Sequence, residues 1–260
     1  MPFGWGEAID ALRLPLSDGK KISLAGRIDR MDTAESDDSV TLRIIDYKSG
    51  RKDLDYTKVF YGLQLQLLLY MEAAKAGAAQ RFPQKPSRFA GLYYYHIDDP
   101  MVEAENEQEA MEKIEKELQL HGLTNSDPDT IRFTDREFPD KSTVVFGLRM
   151  KKDGSFQNYA KVATDRELAA LGDYAKEKAI SLFRSMQAGD IPVRPYKSGT
   201  ESGCSYCPYR SVCGFDTRIK GYRAYSLREK DLSDLIGSDP AEKTAGARAE
   251  EKEISHEMDS

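Results

Sequence analysis

The chain is poor in cysteine, histidine and tryptophan: three, three and one among 260 residues. All three cysteines lie between Cys204 and Cys213, which excludes an even disulfide framework and leaves metal binding or free thiols. Long apolar runs are missing too, and no window approaches the ~18 consecutive apolar residues that a membrane span needs. The opening MPFGWGEAIDALRLPL lacks the basic, then apolar, then small-residue order of a signal peptide, so the chain reads as cytosolic. No internal repeat is present. The absence of a G-x-x-x-x-G-K-[ST] phosphate loop excludes ATP binding by that route.

Excess positive charge is also lacking, since the net charge is −6. The acids are not spread evenly. Residues 98–117 carry a balance of −7 and the tail from Gly237 carries −4, which leaves +5 for the rest. Phosphate contact depends on local patches, so the acidic total does not exclude nucleic acid.

With 40% apolar residues, the chain can bury a sizeable core. Residues 20–32 alternate apolar and polar side chains, TAESDDS reads as a turn, and 40–50 is β-branched and apolar, so the pair predicts an antiparallel hairpin. A single long helix is predicted over 57–78, capped by Thr57 and apolar almost all round, with a strand over 87–97 beside the hairpin. A charged amphipathic helix follows over 103–120. The stretch 121–142 shows turn residues and little periodicity, and 142–156 reads as a strand or hairpin arm leading into a Lys-Asp-Gly turn. Thr164 predicts the cap of a helix over 165–188. The composition beyond Gly237 predicts disorder. The fold class is α/β: a small mixed sheet with the hairpin at its centre, flanked by helices.

In Ile45-Asp46-Tyr47-Lys48, side chains two apart share a strand face, so Asp46 and Lys48 point one way while Ile45 and Tyr47 point the other. The partner strand supplies Asp29. Two carboxylates on adjacent strands suit Mg²⁺, which takes oxygen ligands and keeps several waters. Such a cation polarises a phosphate, and Lys48 would neutralise charge that builds on the phosphorus oxygens. On the helix, Gln66 and Tyr70 lie one turn apart on one face. Arg27, Arg30, Lys48, Arg51 and Lys52 crowd the same edge. Each feature alone has a bland reading as strand surface, turn cap or structural polar pair. Their order and spacing together favour chemistry. His96 and His121 read as surface or turn residues, and Tyr93-Tyr94-Tyr95 as alternating core and surface, with base stacking as the lesser reading.

Cys204-x2-Cys207-x5-Cys213 offers three thiolates, one short of the four that zinc or a cubane cluster takes, and the spacing does not choose between them.

The run GRIDR, IDYKSG, YGLQLQLLLY and CSYCPYRSVCGFD resembles the RecB-type branch of the PD-(D/E)XK nucleases, over roughly residues 3–225. Within it the resemblance is to the nuclease domains of AddAB-type helicase–nucleases, which process double-strand breaks for recombination. The resemblance implies that Asp29 and Asp46 are metal ligands and that Lys48 is the catalytic lysine. It makes Gln66 and Tyr70 the additional active-site motif. It also implies a [4Fe–4S] cluster held by Cys204, Cys207 and Cys213, whose fourth ligand would come from outside this chain. The implied partners are DNA and an AddA-type helicase–nuclease subunit. The family's earlier acidic or histidine position lies on an upstream helix, and the chain reads as beginning just after it. The expected organisation is a nuclease core over 1–190, a cysteine segment over 191–225 and a largely disordered acidic tail over 226–260. A stand-alone exonuclease and a non-catalytic DNA-end-binding module are the alternatives.

Overall fold

The computed structural model describes residues 1–237 apart from Trp5, Ala8, Ser17 and Lys141. The disorder expected beyond Gly237 falls on 238–260, outside the described residues. The chain forms two compact units, Met1–Ile191 and a second from Pro192 onward.

The first unit opens with four short strands, β1 (Pro2–Phe3), β2 (Leu12–Pro15), β3 (Lys21–Leu24) and β4 (Gly26–Arg27). Then come β5 (Arg30–Glu35), β6 (Val40–Lys48), α1 (Tyr56–Phe60), α2 (Gln66–Arg81), β7 (Ser87–His96), α3 (Glu107–Glu117), β8 (His121–Asn125), α4 (Pro128–Thr134), β9 (Val162–Ala163) and α5 (Asp165–Gln187). The second unit holds β10 (Tyr196–Ser198), β11 (Glu201–Ser202), α6 (Arg210–Cys213), β12 (Tyr225–Ser226) and α7 (Leu232–Ile236).

The main sheet is mixed, in the order β5-β6-β7-β8-β9. An antiparallel hairpin is there, pairing β5 and β6 from Glu35–Val40 to Arg30–Ile45, but its first strand is shifted from the one predicted over 20–32. Residues 20–29 lie outside β5, and Thr33–Glu35, read as turn, extend the strand. The hairpin sits to one side, however, with β5 at the edge and β7 in the centre. The reason is composition. In β7, Phe89, Ala90, Leu92, Tyr93 and Tyr94 are all buried, so both faces of that strand are covered. One face meets α2 and α5. On the other, Ile45 and Tyr93 join Leu120, Ile131, Phe138, Val145 and Leu148 in one apolar cluster. Each of these buried side chains contributes roughly 1.5–3 kcal/mol relative to exposure.

The long helix predicted over 57–78 is two helices. Asp55, not Thr57, caps α1 through a bond from Lys58 N–H, and α2 starts only at Gln66. Between them Gly62 takes φ +81°, a conformation that costs glycine little and breaks the helix. Gln64 then fills the gap with its side chain: Nε2 donates to the Asp53 carbonyl at 2.8 Å and Oε1 accepts from Asp55 N–H at 2.9 Å. That break places Gln66 and Tyr70 in the first two turns of α2.

Thr164 caps α5 as predicted and forms a reciprocal capping box with Glu167, worth about 1 kcal/mol. The stretch 121–142, read as turns, instead holds β8 and α4, whose short lengths give periodicity little to work on. Residues 142–156 form isolated bridges, Val145 with Leu120 and Met150 with Phe156, and the expected turn closes at Lys151–Gly154.

Candidate active site

The end of the hairpin ladder brings Asp29 to the backbone of β6. The β5–β6 ladder ends at Arg30–Ile45, and Asp29 stands one residue further, where its Oδ2 accepts Tyr47 N–H at 3.0 Å. Asp46 lies beside it on β6 and is 1% exposed. Its Oδ2 accepts no hydrogen bond. The Lys48 ammonium lies against that oxygen as an ion contact without hydrogen-bond geometry. A buried carboxylate without a countercharge costs several kcal/mol, and Lys48 supplies the countercharge here.

From Lys48 the contacts run across to α2. Lys48 Nζ donates to Gln66 Oε1 at 3.0 Å, and Gln66 Nε2 donates to Tyr70 Oη at 2.9 Å. The two bonds determine each other. Because an ammonium can only donate, the Gln66 oxygen must face it and the amide nitrogen must face Tyr70. The Tyr70 ring packs edge-on against Phe3, with centroids 5.9 Å apart. A Cβ on Gly26 would stand 3.0 Å from Phe3, so a glycine there lets the N-terminal strand approach Tyr70 closely.

A model of the PD-(D/E)XK nuclease superfamily matches residues 2–214, most of the chain. This chain belongs to that superfamily. Among its relatives is an ATP-dependent helicase/deoxyribonuclease subunit from Caldanaerobacter subterraneus subsp. tengcongensis, 38% identical over 239 residues, 88% of this chain and 20% of that protein. The protein of the same name from Thermoanaerobacter sp. (strain X514) is 37% identical over 90% of this chain and 20% of its own length. That of Bacillus thuringiensis (strain Al Hakam) is 35% identical, again over 90% and 20%. The chain thus spans about one fifth of the length of these relatives.

Within this PD-(D/E)XK fold, four of the eight site residues read from sequence come into contact, Asp46, Lys48, Gln66 and Tyr70, and a fifth, Asp29, stands at the end of the same hairpin on the Tyr47 N–H. The other three, Cys204, Cys207 and Cys213, belong to the second unit. Sequence reasoning missed two neighbours of the site. Tyr94 stands opposite Asp46 in the β6–β7 register and is buried, with the Lys48 ammonium 5.9 Å and the Lys52 ammonium 5.3 Å from its ring centroid. Gln64 donates to its hydroxyl at 3.2 Å. Burial pushes the Tyr94 phenol up to about 12, so it stays neutral. The signal for Tyr94 is the register itself, which needs the parallel pairing of β6 with β7. Gln64 carries a signal in the sequence, as the first glutamine of Gln64-Leu65-Gln66, two residues from the motif.

The expectation that Tyr93-Tyr94-Tyr95 alternates core with surface is corrected. Tyr93 and Tyr94 are both buried because both sheet faces are covered. The basic edge is also less open than the composition implied. Arg30 bonds Asp32 at 2.9 Å, and Arg51 pairs with Glu117. His121 is half-buried, and burial lowers its pKa.

Asp46 Oδ2, buried and without a hydrogen bond, together with Asp29 beside it, is the donor chemistry that a hard divalent cation takes. Among the described residues no group of three or more His, Cys, Asp or Glu is gathered for a metal. A cation at the hairpin would therefore complete its shell with water and substrate oxygens. The three thiols are free, and as placed they do not form a ligand set by themselves.

Proposed function

We propose that this chain is the nuclease module of an AddAB-type helicase–nuclease, an exonuclease that hydrolyses DNA phosphodiester bonds with Mg²⁺. Its setting would be double-strand break repair by recombination, beside an AddA-type helicase–nuclease subunit. The observation that carries the reading is the unbroken line Asp46–Lys48–Gln66–Tyr70, joined to Asp29 through the hairpin. Membership of a nuclease superfamily supports the reaction class, and the names of the relatives support the setting.

In this reading Asp29 and Asp46 hold the cation, which supplies Lewis acidity at the scissile phosphate. Lys48 does its work from the position that Gln66 fixes. Its ammonium faces the phosphorus oxygens on which charge builds as water attacks, and a preset donor there needs no reorganisation. The Lys48 ammonium, which can only donate, turns the Gln66 oxygen toward itself, and Tyr70 accepts from the amide nitrogen and so holds the Gln66 side chain in place. Tyr94 supplies a π face beneath the same ammonium.

Cys204, Cys207 and Cys213 hold a [4Fe–4S] cluster in this reading, with the fourth ligand supplied from outside the chain. The cluster acts as a staple on its own segment and takes no part in the hydrolysis. The resemblance and the free state of the three thiols support this assignment.

The test is cleavage of end-labelled single-stranded DNA in Mg²⁺ by the chain and by Asp46→Ala. Cleavage by the first that is lost in the second, and lost with chelator, is the expected result. DNA binding that survives chelator and Asp46→Ala, with no cleavage by either folded protein, would replace the enzyme by a DNA-end-binding module.

A further inference from the structure

The row of paired residues that contains Asp46 does not stop at Tyr94. In the β6–β7 register Asp46 faces Tyr94, and in the β7–β8 register Tyr94 faces His121. Residues directly opposite one another share a sheet face, and neighbouring strands stand about 4.8 Å apart, so His121 lies about 10 Å from Asp46 along that row. The His121 ring is stacked on Phe146, with centroids 4.4 Å apart and planes 18° from parallel. Phe146 N–H bonds the Leu120 carbonyl at 3.0 Å, which pins the phenylalanine beside β8. Even so, Phe146 is 57% exposed, and Tyr159, lining the same groove of about 720 Å³, is 61% exposed.

A single exposed phenylalanine needs no explanation. This one is different in three ways. It is already half of a stacked pair, so one ring face is fixed in place. It ends the row that starts at the proposed cation site. Asp53, Arg51 and Lys161 all act on the charge of His121; Arg51 is paired with the exposed Glu117, and Lys161 with the exposed Asp53 and with the Leu54 carbonyl. Exposed pairs of that kind are worth little and exchange readily for a phosphate. A wide apolar protein partner does not fit, because the groove is also lined by Glu112, Glu115, Lys116, Gln119, Asp140 and Arg149; its acids outnumber its bases, so the phosphate would sit on the side of Arg51 and Lys161. A flat ring with a free face, cations nearby and polar walls match one unpaired base and its phosphate.

We propose that Phe146, backed by His121, is a stacking platform for one unpaired base of a single-stranded DNA whose backbone crosses Asp46. The proposal rests on the nuclease reading for the direction in which the strand runs, and it assigns the ligand class of a subsite outside the catalytic line. Stacking serves any base, so the platform positions the strand without reading its sequence.

The experiment is binding of a fluorescent oligothymidylate to the full chain without divalent cation, so that nothing is cut. An abasic strand of equal length serves as the comparison. Phe146→Ala is expected to weaken thymidylate binding about tenfold, on the scale of a lost stacked base, and to leave abasic binding unchanged. Phe146→Trp is expected to restore the affinity, and its indole fluorescence to be quenched by thymidylate. Unchanged thymidylate binding in Phe146→Ala, an equal loss on the abasic strand, or no binding of either strand overturns the platform. Base-dependent binding through Phe146 in a chain that never cleaves in Mg²⁺ would keep the platform and remove the nuclease reading. Cleavage with affinity indifferent to Phe146 would do the reverse.

Discussion

Asp46, Lys48, Gln66 and Tyr70 are tied to one another by three direct contacts that bridge a strand and a helix. Cys204, Cys207 and Cys213, by contrast, sit in tight turns of their own loop, with Cys207 N–H on the Cys204 carbonyl and Cys213 N–H on that of Tyr209. Around the first set lie buried strands. The second set is half-exposed or exposed, in a unit whose strands are two or three residues long. The difference is one of where the geometry is stored. At the hairpin it resides in side-chain contacts that exist before any ligand arrives. In the cysteine segment the thiols are close in sequence and held by backbone turns, and the cluster proposed above would set their arrangement. Small, loop-rich segments of this kind commonly draw their stability from a metal.

Substitutions in either region probe this difference. The largest effect belongs to Lys48→Met, which keeps the length of the side chain and removes its charge. Cleavage of single-stranded DNA is expected to fall by roughly 10²–10³-fold, the scale of one preset transition-state donor, measured where circular dichroism shows the variant folded, since loss of the Asp46 countercharge also lowers its stability. A residual rate near that of the parent would show that the lysine only balances Asp46. Next is Gln66→Leu, which leaves Lys48 its charge and takes away its anchor. A loss of about tenfold in kcat with little change in KM is expected, since a misplaced donor costs part of its effect. An unchanged kcat would reduce Gln66–Tyr70 to a structural pair. The smallest effect on cleavage is that of Cys207→Ala. Limited proteolysis is expected to cut residues 192–225 faster, while the cleavage rate of the intact variant stays close to that of the parent. Full protease resistance in the variant would remove the staple.

Much of the site is legible in the sequence because it depends on local patterns. Asp46 and Lys48 alternate with Ile45 and Tyr47 on one strand, and Gln66 and Tyr70 fall at helical spacing, so their shared faces follow from the strand and helix periods. What does not show is whatever depends on pairing between distant segments or on a single backbone break. The division of 57–78 turns on Gly62 and on the side chain of Gln64, which bonds the backbone of Asp53 and Asp55. In sequence Gly62 passes for a tolerated helix residue of weak propensity and Gln64 for an ordinary good helix former. The place of Tyr94 opposite Asp46, and of β7 at the sheet centre, requires a parallel pairing that no local signal carries. β8 and α4 are too short for their periodicity to rise above the turn residues around them.

The basic edge makes the same point from the side of charge. Counting cations finds Arg30 and Arg51, but Asp32 and Glu117 already engage them. What composition cannot supply is pairing.

Everything proposed for the hairpin depends on whether Asp29 and Asp46 make one cation site. Calorimetric titration of Mg²⁺ into the full chain, into Asp46→Asn and into Lys48→Met tests it without any substrate. One bound cation is expected in the parent and none in Asp46→Asn. Tighter binding is expected in Lys48→Met, because the ammonium no longer competes for Asp46 Oδ2. Equal binding by all three proteins, or no binding by the folded parent, would contradict a metal-dependent site at the hairpin.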